Sequence, residues 1–198
     1  MELVPTLIST SWTSGVNAYL TVALLSLLGR AGVGEVPDSL QSDGVLFGAL
    51  AMFAIEFVVD KVPYLDNAWD AVQTVVRPAI GSALGVAFAG DAGVGGLEEA
   101  LAGGGSGAMA LASHAVKAGL RLGVNSSPEP FSNIAVSLAE DFVAAGVIAL
   151  AVNHPVPAAA IALALLAAGI ALVMLLAGRI RRALRALGKR RGRPPPLP

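Results

Sequence analysis

VPAAAIALALLAAGIALVMLLAG, residues Val156 to Gly178, runs for 23 residues without a charged side chain. At about 1.5 Å of rise per residue, a helix of that length matches a hydrocarbon layer roughly 30 Å thick. The segment predicts a transmembrane helix, and the rest of the chain is read outward from it. Immediately after it come Arg179, Arg181, Arg182, Arg185, Lys189, Arg190, Arg191 and Arg193, eight of the 13 Lys and Arg residues in the protein. Upstream, the segments Gly44 to Val62, Asn67 to Ala89, Leu97 to Leu122 and Ser132 to Val152 are apolar but interrupted by ionisable or helix-breaking residues. Leu3 to Gly29 is uncharged and is read as a polar lead-in followed by a span from about Ser14 to Arg30. That makes about six spans. Met1-Glu2-Leu3 lacks the positive start of a secretory signal, so none is expected there.

Composition agrees with this reading. Of 198 residues, 55% are hydrophobic and 14% charged, with a mean hydropathy of +0.72, whereas a soluble domain carries about 25% charged residues. A soluble cytosolic enzyme is thereby excluded. The absence of cysteine removes disulfides, thiolate metal sites and thiol nucleophiles. No Walker loop, histidine pair at metal spacing or nucleophile elbow occurs, so no enzymatic activity, cofactor or metal is expected.

Orientation follows from the basic residues, which are retained on the cytoplasmic side. The tail and the loops near Lys61, Lys117 and Arg121 are expected inside; Glu35, Asp38, Asp43, Asp91, Glu98 and Glu99 fall in the opposite loops. The chain is thus read as an all-α polytopic integral membrane bundle, N-in/C-in, over residues 1–178. A basic, amphipathic and proline-rich cytoplasmic tail follows over 179–198, where anionic headgroups are the expected partner and nucleic acid is not. Localisation to a bacterial cytoplasmic membrane is expected, and the Ala- and Gly-rich faces of the third and sixth spans point to a homodimer. Trp12 and Trp69 fall near expected span ends, where indoles anchor at the interface.

Two segments break helical rules. Pro78 falls in the middle of the third span and the run Gly103 to Gly107 inside the fourth. They are read either as openings at a binding site or as close helix packing. A tandem two-helix repeat is visible in the proline-bearing turns 60–67 and 125–133, each followed by a capping pair.

Ionisable groups at membrane depth are costly and mark either ion pairs or pathways. Glu56 and Asp60 share one helical face, His114, Lys117 and Arg121 another, and Asp70, Thr74 and Arg77 a third. Asn133, Ser137, Glu140 and Asp141 add a fourth polar stripe, and Thr10, Ser14, Asn17 and Thr21 an uncharged one. Arg77, beside Pro78 and unable to lose its proton, requires a carboxylate, a cluster of carbonyls or an anionic ligand, and Glu56 and Glu140 are the nearest carboxylate candidates. Asn17, Glu56, Asp60, Asp70, Arg77, His114, Lys117, Arg121, Asn133, Glu140 and Asp141 are the expected ligand or ion pathway, entered by a charged vestibule open to the cytoplasm and sealed outward. His114 is read either as a proton relay or as a hydrogen-bonded core residue.

SGVNAYL (Ser14 to Leu20), DKVPYLDNAWDAVQTVVRP (Asp60 to Pro78) and HAVKAGLRLGVNSSPEPFSN (His114 to Asn133), followed by Glu140-Asp141, resemble the bacterial membrane proteins grouped as domain of unknown function 4126. The resemblance runs from about Ser9 to Gly178 and implies a polytopic membrane protein, with no activity attached. The expected function is a small secondary transporter or channel-like permease for a polar or charged solute, coupled to protons through Glu56, Glu140 or His114. The alternatives are a lipid-phosphate handling protein that grips phosphate with Arg77, Lys117 and Arg121, and a non-transporting assembly partner.

Overall fold

The computed structural model describes residues 2–62, 65–124 and 130–191. Residues 63–64 and 125–129 of the two proline-bearing turns, and the proline-rich end from 192, lie outside these residues. Among the described residues the chain is all helical: α1 (Leu3–Val16), α2 (Ala18–Arg30), a short 3-10 turn (Asp38–Gln41), α3 (Asp43–Val59), α4 (Leu65–Asp91), α5 (Leu97–Val124), α6 (Pro130–Ala151) and α7 (Pro155–Arg191). Three of them, over Leu65–Asp91, Phe131–Ala151 and Pro155–Arg179, are long and apolar enough to cross a membrane. The basic tail continues α7 as helix as far as Arg191.

The expected single span from Ser14 to Arg30 is instead two helices. Asn17 takes an extended backbone (φ −150°, ψ 99°), and its side chain accepts the Leu20 N–H, so one residue both stops α1 and caps α2. Leu3 and Leu7 of α1 pack with Leu25 and Leu28 of α2, beside Phe88 near the end of α4. The two helices therefore enter and leave the bundle at one end and turn back inside it. At 14 and 13 residues each is only about 20 Å long, half of a hairpin rather than a crossing. The chain's N-terminal end lies with Arg30, Asp91 and Pro155, whereas α7 runs to the opposite end. The start of α1 and the far end of α7 therefore lie at opposite ends of the bundle, where a shared side was expected.

α1 forms the bundle's centre, touching α4, α5, α6 and α7. Thr6, Ser9, Thr10, Ser11, Thr13 and Ser14 are all buried. Most of these hydroxyls turn back onto their own helix, as Thr10 does to the Thr6 carbonyl (2.7 Å) and Thr13 to that of Ser9 (3.1 Å). Such local bonds satisfy the hydroxyl without a partner helix and let a polar helix sit in the core.

α4 and α5 pack more closely than any other pair, which settles the two sequence irregularities. α4 is continuous through Pro78 and α5 through the glycine run. A Cβ at Gly107 would meet Ser82 Oγ at 2.2 Å, and one at Gly81 would meet Ala110 Cβ at 2.6 Å. The glycines bring two backbones together; they do not open a site. The two helices of each sequence repeat, α3 with α4 and α5 with α6, barely touch each other.

The fold is inverted relative to a soluble domain. Phe131, Phe142, Leu97 and Val75 are each more than 70% exposed, while the two largest fully buried side chains are Arg77 and Arg121. Apolar atoms face outward and charges inward, as lipid demands. Trp12 is 6% exposed within the α1, α6 and α7 core, so it is not the interfacial anchor expected from its position in the sequence.

Candidate functional site: a buried ionic cluster beneath a broken helix

The turn at Asn17 halts α1 midway through the bundle and frees its last carbonyls. The Gly15 carbonyl accepts from Arg77 Nη1 (3.0 Å) and that of Val16 from Lys117 Nζ (2.9 Å). The α1 tip is thus met by two buried cations, which suit the negative end of a helix dipole.

Arg77 anchors the upper layer of the cluster. One guanidinium nitrogen, Nη2, pairs with Glu56 Oε1 and lies 3.7 Å from Asp70 Oδ1; the other reaches His114 Nδ1 at 2.8 Å. Arginine only donates, so Nδ1 is an acceptor and the His114 proton sits on Nε2, which faces the Asp70 carbonyl at 3.0 Å. His114 is therefore a neutral, fully engaged core residue. Of its two readings, the hydrogen-bonded one describes this geometry.

The lower layer is built on Asp60, which closes α3. Asp60 Oδ2 accepts from Lys117 Nζ and Arg121 Nη2, both at 2.9 Å, and its carbonyl accepts from Arg121 Nη1 (3.0 Å) and Asn133 Nδ2 (3.1 Å). Arg121 Nη2 also donates to Glu140 Oε2 at 2.8 Å, with Lys117 Nζ 3.5 Å from the same oxygen. Asn17 Nδ2 donates to Asp141 Oδ1 (2.9 Å), tying the helix break to α6.

All eleven residues expected from the sequence come together here. Glu56 is the carboxylate partner of Arg77, while Glu140 belongs to Arg121. Sequence reasoning missed Asp66, fully buried with Oδ2 3.6 Å from Arg121 Nη1; it was read only as a helix-capping residue, and its Oδ1 does accept the Asn67 N–H at 2.7 Å. It also missed the Gly15 and Val16 carbonyls, for which no side chain could be a signal.

The charges do not balance. Glu56, Asp60, Asp66, Asp70, Glu140 and Asp141 are six carboxyl groups; Arg77, Lys117 and Arg121 are three buried cations, and the partly exposed Lys61, whose ammonium acts on Asp141 and Asp60, is a fourth. Among the described residues, both oxygens of Asp70, Glu56 Oε2, Asp60 Oδ1 and Asp141 Oδ2 are buried without a hydrogen-bond partner. Buried polar atoms are rarely left so.

The mouth of the expected cytoplasmic vestibule falls on the turns around residues 63–64 and 125–129, outside the described residues. The charged side chains around Asp60 are buried, and a cavity of about 610 Å³ opens at the other end, lined by Glu2, Thr6, Thr10, Glu35, Phe88 and His154. Among the described residues no group of His, Asp and Glu has the arrangement of a metal site.

A helical bundle with lipid-facing apolar walls and a buried, carboxylate-rich interior defines a membrane protein. The family described as a domain of unknown function (DUF4126) matches residues 4–175, and the chain belongs to it. No curated protein and no solved structure matches the chain.

Proposed function

We propose that this protein is a small cation-handling permease of the bacterial cytoplasmic membrane, carrying protons or a small monovalent cation, alone or with a solute. The observation that carries this reading is the excess of two carboxyl groups gathered around a helix that breaks inside the bundle. In a low-dielectric interior that excess must be offset by cations, either protons on the carboxyl groups or a bound ion. Broken helices are a recurrent way of building ion and substrate sites at membrane depth. The lipid-phosphate alternative has less support, because Arg77, Lys117 and Arg121 are already engaged by carboxylates and carbonyls.

The test is flux into liposomes containing the purified protein, with pH-sensitive and alkali-ion-sensitive dyes inside. The wild-type chain is expected to dissipate an imposed gradient. Glu56→Gln and Asp70→Asn are expected to slow it by about tenfold or more, the scale of losing one proton-carrying group. Wild-type vesicles as tight as empty ones to both ions would end this reading.

In this proposal α3 to α7 make five crossings, the basic end of α7 is cytoplasmic, and the α1–α2 hairpin is re-entrant from outside. The cysteine-free sequence allows single-cysteine labelling. Glu2→Cys, Ser39→Cys and Gly93→Cys should react together with a membrane-impermeant reagent, and Arg182→Cys only after permeabilisation. Glu2→Cys grouping with Arg182→Cys would refute the re-entrant hairpin; Gly93→Cys reacting only after permeabilisation would invert the orientation.

A further inference from the structure

α5, α6 and α7 leave between them a narrow crevice of about 270 Å³ that reaches from the bundle's outer surface to the ionic cluster. Val116, Leu120, Val143 and Leu165 form its walls, and Val143 and Leu165 are 41% and 37% exposed, so its mouth faces the lipid. At its inner end lie Trp12, Lys117 and Glu140.

We infer that this crevice binds lipophilic cations: a quaternary or protonated amine head against Glu140 and Trp12, with an alkyl body lying between α5, α6 and α7. The inference rests on the cation-handling reading of the cluster and names a class of ligand for it.

Three features select a cation over an anion or a neutral lipid. Glu140 keeps Oε2 on Arg121 and Lys117, but Oε1 makes no hydrogen bond among the described residues, and the side chain retains 15% exposure. One carboxylate oxygen is thus free to meet a ligand without breaking the cluster. Lys117 cannot serve an anionic head equally well, since its ammonium is already held by the Val16 carbonyl and Asp60 at 2.9 Å each. Trp12 supplies an indole ring, the best aromatic partner for an ammonium group, and an apolar setting strengthens that attraction. The walls are aliphatic and suit an alkyl chain, whose burial contributes about 0.8 kcal/mol per methylene.

The test uses protein in phosphatidylcholine nanodiscs with Trp69→Phe, which leaves Trp12 as the single indole, since the chain has two tryptophans. Decyltrimethylammonium, decanoate and decanol are titrated below their aggregation thresholds while Trp12 fluorescence is followed. The expected result is a saturable change with decyltrimethylammonium alone. It should be weakened about tenfold or more by Glu140→Gln, the scale of one close charge pair in a partly desolvated site. It should be abolished by Val143→Phe, which fills the mouth from the lipid side and adds no indole. Binding that neither substitution weakens, equal binding of decanoate or decanol, or no saturable change overturns the inference, whatever the liposome flux shows. Saturable, Glu140-dependent cation binding in a protein that conducts no ions upholds the site and removes the permease reading instead.

Discussion

Arg77→Ala is expected to lower stability by about 3–5 kcal/mol, the usual cost of leaving one member of a buried ion pair behind. Its guanidinium is fully buried and joins three elements at once: Glu56 on α3, His114 on α5 and the Gly15 carbonyl at the tip of α1. The stranded group is Glu56, itself 0% exposed. Arg77→Ala combined with Glu56→Gln should therefore recover much of the loss, while the carbonyl and the histidine left without a donor keep the rescue incomplete. Thermal melting in mild detergent of both single variants and the double variant measures the coupling. A single variant that melts like wild type would show that the pair carries no structural load, and lost flux in such a variant would assign Arg77 to the transported ion.

Gly15→Ala should be at least as damaging, by about 3 kcal/mol or through failure to fold, because the change overpacks a rigid contact. A Cβ there would stand 1.7 Å from Ser113 Oγ and 2.2 Å from the Ala110 carbonyl oxygen. Ser113 could rotate, at the cost of its bond to the Trp12 carbonyl (2.8 Å), but the Ala110 carbonyl is backbone of α5 and cannot. Gly104→Ala is the control. It lies in the glycine run of α5, meets nothing within 4 Å, and should be neutral or stabilising by up to about 1 kcal/mol through helix propensity. Equal melting temperatures for the two variants would contradict the close approach of α1 to α5.

The cluster was legible in the sequence because ionisable residues in apolar runs have few places to go. Glu56, Arg77, Lys117, Arg121 and Glu140 could be assembled from helical spacing alone. The reversal at Asn17 was not. Asparagine in an uncharged stretch reads as one more polar residue on a helical stripe, and only the contacts of Leu3 and Leu7 with Leu25 and Phe88 reveal that the chain doubles back. The hydroxyl-rich run Thr6 to Ser14 was the available signal, since a helix with polar residues all round is a poor lipid-facing span. Pro78 and the α5 glycines were open to two readings in the sequence. Of these, close packing between α4 and α5 is the one that describes two continuous helices. The charges from which a cytoplasmic vestibule was expected are buried and pair with one another, a pairing that helical spacing alone does not specify.

The inward hairpin sets the order of synthesis against the order of assembly. α1 and α2 leave the ribosome before α3 to α7, yet from Ser9 onward α1 is enclosed by α4, α5, α6 and α7, and only its first turns, as at Val4, reach the outside of the bundle. A segment with six buried hydroxyl residues and about two thirds of a membrane's thickness gives a translocon little reason to release it sideways. On the proposed topology it waits at the outer surface until the later helices have formed its cradle, and then slides in from that side. The last step of maturation would then be the seating of the earliest-made piece, and the buried cations that greet its carbonyls would act as the latch.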